Sequence, residues 1–188
     1  MATEILEIRN DDILQILPGS THHGYRLREK TPWEWFLLAD SVFEECNYPC
    51  ILTVLSEGIE HYPEWVKHIK KHQHRYKIEL HGSSHHQYKH MTAKEALEDL
   101  RQAKDKIEQE FNVKITTWYV PYSYKERKGF PNWGKEVCDE LGMEFDVTEK
   151  KKRQHIFHYW HKEQIEKIHK VIRCHQTQES NWKTGLEP

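Results

Sequence analysis

Cys50-Ile-Leu-Thr-Val-Leu55 is a short, nearly uninterrupted apolar run rich in β-branched residues. A strand with one wet face alternates apolar and polar side chains. A run without that alternation belongs to a strand covered on both faces, as in a parallel sheet. The flanks agree. Residues 33–47 before it carry apolar side chains at helical spacing, and Tyr62-Pro63-Glu64-Trp65 after it opens another helix. Pro63 sits there at an early helical position, where its missing N–H costs nothing. Helix, strand, helix is the unit of an α/β fold, and the rest of the chain repeats it.

Upstream, Glu4-Ile5-Leu6-Glu7-Ile8-Arg9 alternates and predicts a first strand, ending at the turn-prone Asn10-Asp11-Asp12. A polar loop with Gly19 and Gly24 follows over 18–32. Downstream, a strand is expected over 76–80, then the clearest helix over 92–111. Thr92-Ala-Lys-Glu95 forms a capping box there, and Ala96, Leu100, Ala103, Ile107 and Phe111 recur every three or four residues. Further strands are predicted over 113–120, 143–147, 156–160 and 171–174. The helices between them cover 133–141, stopped by Gly142, and a short stretch around 164–168. Such alternation implies right-handed crossovers in a parallel sheet. The expectation is a deformed (β/α) barrel of about seven parallel strands, one domain over residues 1–188, with 177–188 as a C-terminal tail.

The 188 residues carry 28 Lys+Arg against 30 Asp+Glu, so the net charge of -2 gives no basic stripe for nucleic acid. Mean hydropathy is -0.92, and no window approaches the ~20 apolar residues of a membrane span. With no basic, apolar leader after Met1, a cytoplasmic location is expected. Cys46, Cys50, Cys138 and Cys174 lack disulfide-scaffold or zinc-pair spacing and read as reduced thiols. The 15 histidines stand out, although His68, His72 and His74 lie in a Lys-rich stretch and read as solvated surface.

Parallel α/β folds place chemistry at the C-terminal ends of their strands. Three features fall there: Asp11-Asp12, His81-Gly-Ser-Ser-His85 and His175. Adjacent carboxylates repel unless a cation or a shared proton compensates them. His81 and His85 can converge on one ion, with one carboxylate completing a two-His, one-Asp set that leaves positions open to water. No Glu follows His81, which excludes the metalloprotease pattern of two helical histidines flanking a glutamate base. The same ligand set serves non-haem Fe(II) oxygenases, but those are expected on an all-β scaffold with a His-x-Asp pair, and this chain has neither.

Together these residues resemble the polysaccharide deacetylases of carbohydrate esterase family four and their less characterised relatives. The family's aspartate pair after the first strand is matched by Arg9-Asn10-Asp11-Asp12, and its two-histidine motif by His81 to His85. Its third motif is matched by Tyr119-Val120-Pro121-Tyr122, and its final apolar strand ending in His by Val171-Ile-Arg-Cys-His175. Gly82 stands where the best-known members have Ser or Thr. The resemblance implies that Asp11 is the general base, that Asp12, His81 and His85 bind the metal, and that His175 is the general acid. It makes the backbone N–H of Tyr122 the oxyanion donor, with Pro121 and Trp160 lining the substrate site. Trp118, Tyr122 and Tyr159 are further candidates for sugar stacking, and Asp146 is a candidate outer partner that orients a histidine. The cofactor implied is a divalent ion, zinc first, with manganese, cobalt or nickel as alternatives. The substrate implied is an N-acetylated amino sugar or related small amide; a homologue that binds metal or glycan without hydrolysis is the rival reading. The chain departs from the family at Tyr119, where an arginine normally orients the catalytic aspartate, and Arg127 or Arg153 would have to reach in from another loop to replace it.

Overall fold

The computed structural model describes residues 7–16, 21–22, 25–26, 30–122, 132–146, 154–158 and 162–184. The strands are β1 (Glu7–Ile13), β2 (Thr21–His22), β3 (Tyr25–Arg26), β4 (Cys50–Leu55), β5 (Tyr76–Gly82), β6 (Thr117–Tyr119), β7 (Glu144–Asp146) and β8 (Gln154–His158). The helices are α1 (Pro32–Cys46), α2 (Pro63–Lys71), α3 (Ala93–Phe111), α4 (Trp133–Glu140) and α5 (Lys162–Thr184). Six strands form one sheet in the order β7-β6-β5-β4-β1-β8, all pairs parallel, while β2 and β3 make a separate antiparallel pair.

Local chemistry accounts for the helix boundaries. Thr31 with Glu34 and Thr92 with Glu95 close reciprocal capping boxes on α1 and α3, satisfying N–H groups that have no partner inside the helix. Asn47 and Asn112 end the same helices in the left-handed conformation.

One expectation is corrected. Residues 171–174 are not a strand but part of α5, which runs Lys162–Thr184. A four-residue apolar run cannot distinguish strand from buried helix by itself. The longer pattern decides it: Ile165, Ile168 and Ile172 are three and four apart and at most 4% exposed, a helical stripe facing the core. Against the expected barrel of about seven strands, the sheet has six strands among the described residues, with β7 and β8 at the two ends of the order. His68 also departs from the solvated-surface reading, since its Nε2 lies 2.7 Å from the buried carboxylate of Asp40. All four cysteines are unpaired. No helix among the described residues is long and apolar enough to cross a membrane.

The two faces of the sheet differ. Even-numbered residues such as Ile8, Leu52, Val54, Ile78, Leu80 and Trp118 join the inner stripes of all five helices in one hydrophobic core. Odd-numbered residues on the other face include Arg9, Asp11, Thr53, Glu79, His81 and Tyr119, all buried. Covering on both faces is what the unbroken apolar run of β4 required, and all six of its residues are buried.

Beyond β1 the chain turns sharply, and the Leu14 carbonyl is pressed against Gly58 in the turn after β4, where a Cβ would collide with backbone. Gly58→Ala should therefore lower stability by about 1–3 kcal/mol, read as a reduced urea midpoint at unchanged slope.

Candidate metal and catalytic site

Adjacent residues of a regular strand point to opposite faces, so Asp11 and Asp12 could not both serve one site from an ideal β1. The strand is not ideal at that point. Asn10 pairs with Leu52 and Ile13 with Val54, so three steps along β1 match two along β4. The extra residue is a β-bulge, a device that re-aims a side chain. Asp12 and Leu14 take it up at φ 62° and 63°, conformations that cost a non-glycine residue about 1–2 kcal/mol each. Ile13 and Leu14, both fully buried, hold the far side of the bulge in the core.

Re-aimed in this way, Asp12 Oδ1 lies 2.9 Å from His81 Nε2 and 3.0 Å from His85 Nε2. One ligand atom from each of the three residues falls within 4.8 Å of the others. Asp12 and His81 are each only 2% exposed. The Nδ1 of His81 is 2.6 Å from the Tyr119 carbonyl oxygen, which can only accept, so Nδ1 carries the proton. The Nε2 facing Asp12 then bears either a second proton or a lone pair. A lone pair beside a carboxylate is repulsive unless a cation lies between them, so this donor set fits a divalent metal ion with both imidazoles neutral. Burial would push the Asp12 carboxyl up. Where His81 and His85 carry the second proton instead, their hydrogen bonds and charge outweigh burial and hold it well below the usual carboxylate range.

The loop that carries the histidines is built for this geometry. Gly82 lies at φ 141°, and a Cβ there would run into the Tyr88 hydroxyl. This is the physical reason for glycine where Ser or Thr was the family expectation. Tyr88 donates to Asp99 Oδ2 at 2.6 Å, Ser83 Oγ donates to Asp99 Oδ1 at 2.5 Å, and Ser83 N–H donates to the Tyr88 hydroxyl at 3.2 Å. On its other side the Tyr122 hydroxyl donates to the His85 carbonyl at 3.0 Å, and the two rings lie 4.5 Å apart. Tyr122 itself has φ 76°.

Beside the three candidate ligands stands Asp11, 4% exposed. Arg9 grips it with both arms, Nε to Oδ1 at 2.6 Å and Nη2 to Oδ2 at 2.9 Å, and Thr53 Oγ1 donates to Oδ1 at 2.9 Å. The guanidinium lies 4.4 Å over the Tyr119 ring. Burial would lower the Arg9 pKa, but the charge and hydrogen bonds of Asp11, with help from Asp146, raise it. Arg9 was missed in the sequence although the signal was present: residues two apart on a strand share a face. Arg127 and Arg153, expected to supply the cation, lie outside the described residues, as do Tyr159 and Trp160.

The remaining expectations divide. Asp146, at the end of β7, adds to the field around Arg9 and Tyr119. Pro121 is buried next to Tyr122. Trp118 is buried in the core, packed against Tyr88, Trp133 and Phe145. His175 does not follow a strand, contrary to expectation. It sits on α5 with its ring edge-on to Tyr48 at 6.1 Å, and the next residue, Gln176, donates to the Cys46 carbonyl at 2.7 Å. Those partners lie where the chain enters β4, whereas Asp12 and His81 lie where strands end. The turn of helix that replaced the expected strand carried His175 to the opposite end of the sheet.

The polysaccharide deacetylase family profile matches residues 35–143, more than half of the chain and including both histidines. The chain belongs to the polysaccharide deacetylase family. Solved structures similar to this family member include BA3943, a CE4 family pseudoenzyme from Bacillus anthracis. It is 12% identical with a TM-score of 0.68, over 94% of this chain and 62% of that one. The peptidoglycan deacetylase PdaC from Bacillus subtilis is 14% identical with a TM-score of 0.59, over 95% and 94% of the two chains. A family 4 carbohydrate esterase from Streptomyces lividans in complex with acetate is 9% identical with a TM-score of 0.63, over 89% and 85%. At these identities the likeness is one of fold, and the chain spans less than two thirds of the pseudoenzyme's length. No curated protein sequence matches it significantly.

Two measurements check the site. Elemental mass spectrometry on protein purified without chelator should find near-stoichiometric divalent metal that disappears in His81→Ala. Gly82→Ala should weaken metal affinity by about tenfold or more, because the strained loop displaces His85 as an outer-partner mutation would, and a metal titration reads this directly.

Proposed function

We propose that the protein is a metal-dependent amide hydrolase that removes the N-acetyl group from an N-acetylated amino sugar or related carbohydrate. The observation that carries the reading is the juxtaposition of a buried, Arg-clamped carboxylate, Asp11, with the three convergent ligand atoms of Asp12, His81 and His85. Asp12, His81 and His85 would hold the metal. Two imidazoles and a carboxylate suit zinc first, with cobalt, nickel or manganese as alternatives. When bound, such an ion supplies Lewis acidity and makes water acidic enough to be activated near neutral pH.

The chain's own groups do the rest. Asp11 takes a proton from the water as its oxygen adds to the acetamide carbonyl carbon. The Tyr122 backbone N–H donates to the carbonyl oxygen as negative charge develops there. Cleavage of the C–N bond then yields acetate and a free amine, and the departing nitrogen needs a proton. With His175 at the far end of the sheet, the proton held by Asp11 is the one at hand, so a single carboxylate serves both halves of the reaction.

The position of His175 also favours a second reading, a homologue that binds metal and glycan without turnover, and a CE4 pseudoenzyme is among the similar folds. Acetate release separates the two. Metal-loaded protein incubated with N-acetylglucosamine and its short oligomers should liberate acetate in an enzyme-coupled assay. Asp11→Asn should abolish release while keeping its metal. Saccharide binding without acetate would establish the second reading.

A further inference from the structure

We infer that Arg9 is a positioning residue for Asp11, and that Tyr119 keys Arg9 to the metal ligand His81 so that base and metal are held in fixed register. The inference rests on the deacetylase reading for the reaction it serves; the geometry stands apart from it.

A guanidinium that is 0% exposed in the middle of a sheet is an expensive group to bury, and a well-packed apolar pair in its place is often neutral or more stable. Fold stability is thus a poor explanation for an Arg9–Asp11 pair. What the pair supplies is orientation. The fork contacts both oxygens of Asp11 at 2.6 and 2.9 Å, and Thr53 adds a third hydrogen bond to Oδ1. A carboxylate bound once can rotate about its terminal torsion, whereas one held in the plane of a guanidinium with a hydroxyl on one oxygen cannot.

Arg9 is in turn held by Tyr119, whose ring lies 4.4 Å from the guanidinium carbon. The same residue accepts the His81 Nδ1–H through its backbone carbonyl at 2.6 Å. One residue of β6 therefore touches both the holder of the base on β1 and a metal ligand on β5. Displacement of Tyr119 would shift Asp11 and His81 relative to each other, and an error of about 1 Å in such a placement can cost about 100-fold in rate.

The test uses Arg9→Lys, which keeps the charge and loses the fork, and Tyr119→Leu, which removes the ring and keeps the backbone carbonyl. Each variant is assayed for thermal unfolding, metal content, KM and kcat. The expected result for Arg9→Lys is a folded protein with full metal, KM within about twofold of wild type and kcat lower by about 10- to 100-fold. Unchanged kcat in a folded, metal-loaded Arg9→Lys overturns the inference. Parallel loss of metal and kcat also overturns it, since Arg9 would then be supporting the ligand cluster and not Asp11. If Arg9→Lys does not fold, Tyr119→Leu decides: lower kcat at full metal and constant KM supports the inference, and wild-type kcat refutes it. A wild-type protein that holds metal but releases no acetate sinks the deacetylase reading and this inference with it, an outcome distinct from an active wild type beside an equally active Arg9→Lys.

Discussion

One extra residue in β1 is the constraint on which the site depends. Parallel pairing with β4 leaves three residue steps on β1 opposite two on β4, and the surplus is absorbed by placing Asp12 and Leu14 in left-handed conformations. Without it Asp12 would face the helices, among Ile8, Leu52 and Val54, where an ionised carboxylate has no partner. With it, Asp12 meets His81 and His85 beside Asp11. The strain is sustained because Ile13 and Leu14 are buried on the core side and Gly58 leaves room for the Leu14 carbonyl. Local distortion held by surrounding packing is how folds commonly keep functional groups in unfavourable backbone positions.

Buried charge in this protein follows one rule, and position separates its uses. Asp40 on α1 is held by His68, Arg75 and the Tyr76 hydroxyl. Glu79 on β5 accepts from the backbone N–H groups of Thr116 and Thr117 and from the Thr116 hydroxyl, with Lys77 at 2.6 Å. Asp11 is held by Arg9 and Thr53. All three are carboxylates with several donors, as burial requires. Asp40 ties α1 to α2 and the start of β5, and Glu79 ties β5 to the entry of β6, so both are accounted for by structure. Asp11 alone of the three lies at a strand's C-terminal end next to the cluster of candidate metal-ligand atoms, and that placement is why the proposed chemistry is assigned to it.

Membership of the polysaccharide deacetylase family does not by itself decide turnover, because the similar folds include a peptidoglycan deacetylase and a pseudoenzyme alike. The deciding features lie within the chain. The first is the Asp11 clamp, which comes from β1 itself through Arg9. The second is His175, which the fold places beside Tyr48, away from the ligand cluster. Together they underlie the proposal that one carboxylate carries the proton in both halves of the reaction.

The amino-acid sequence alone determined the alternating α/β order, the capping box at Thr92, the buried β4 run and the two-histidine motif. Each is set by contacts within a few residues or by a burial pattern that repeats along the chain. It failed at 171–174, where a short apolar run is consistent with strand and helix alike until Ile165, Ile168 and Ile172 are seen to share one face against the core. It could not show that Arg9 would clamp Asp11 under Tyr119, that a bulge would turn Asp12 toward His81, or that Gly82 yields its Cβ space to Tyr88. Those are relations between strands and loops far apart in the chain. Their distances are set by sheet register and side-chain packing, which only the tertiary structure decides.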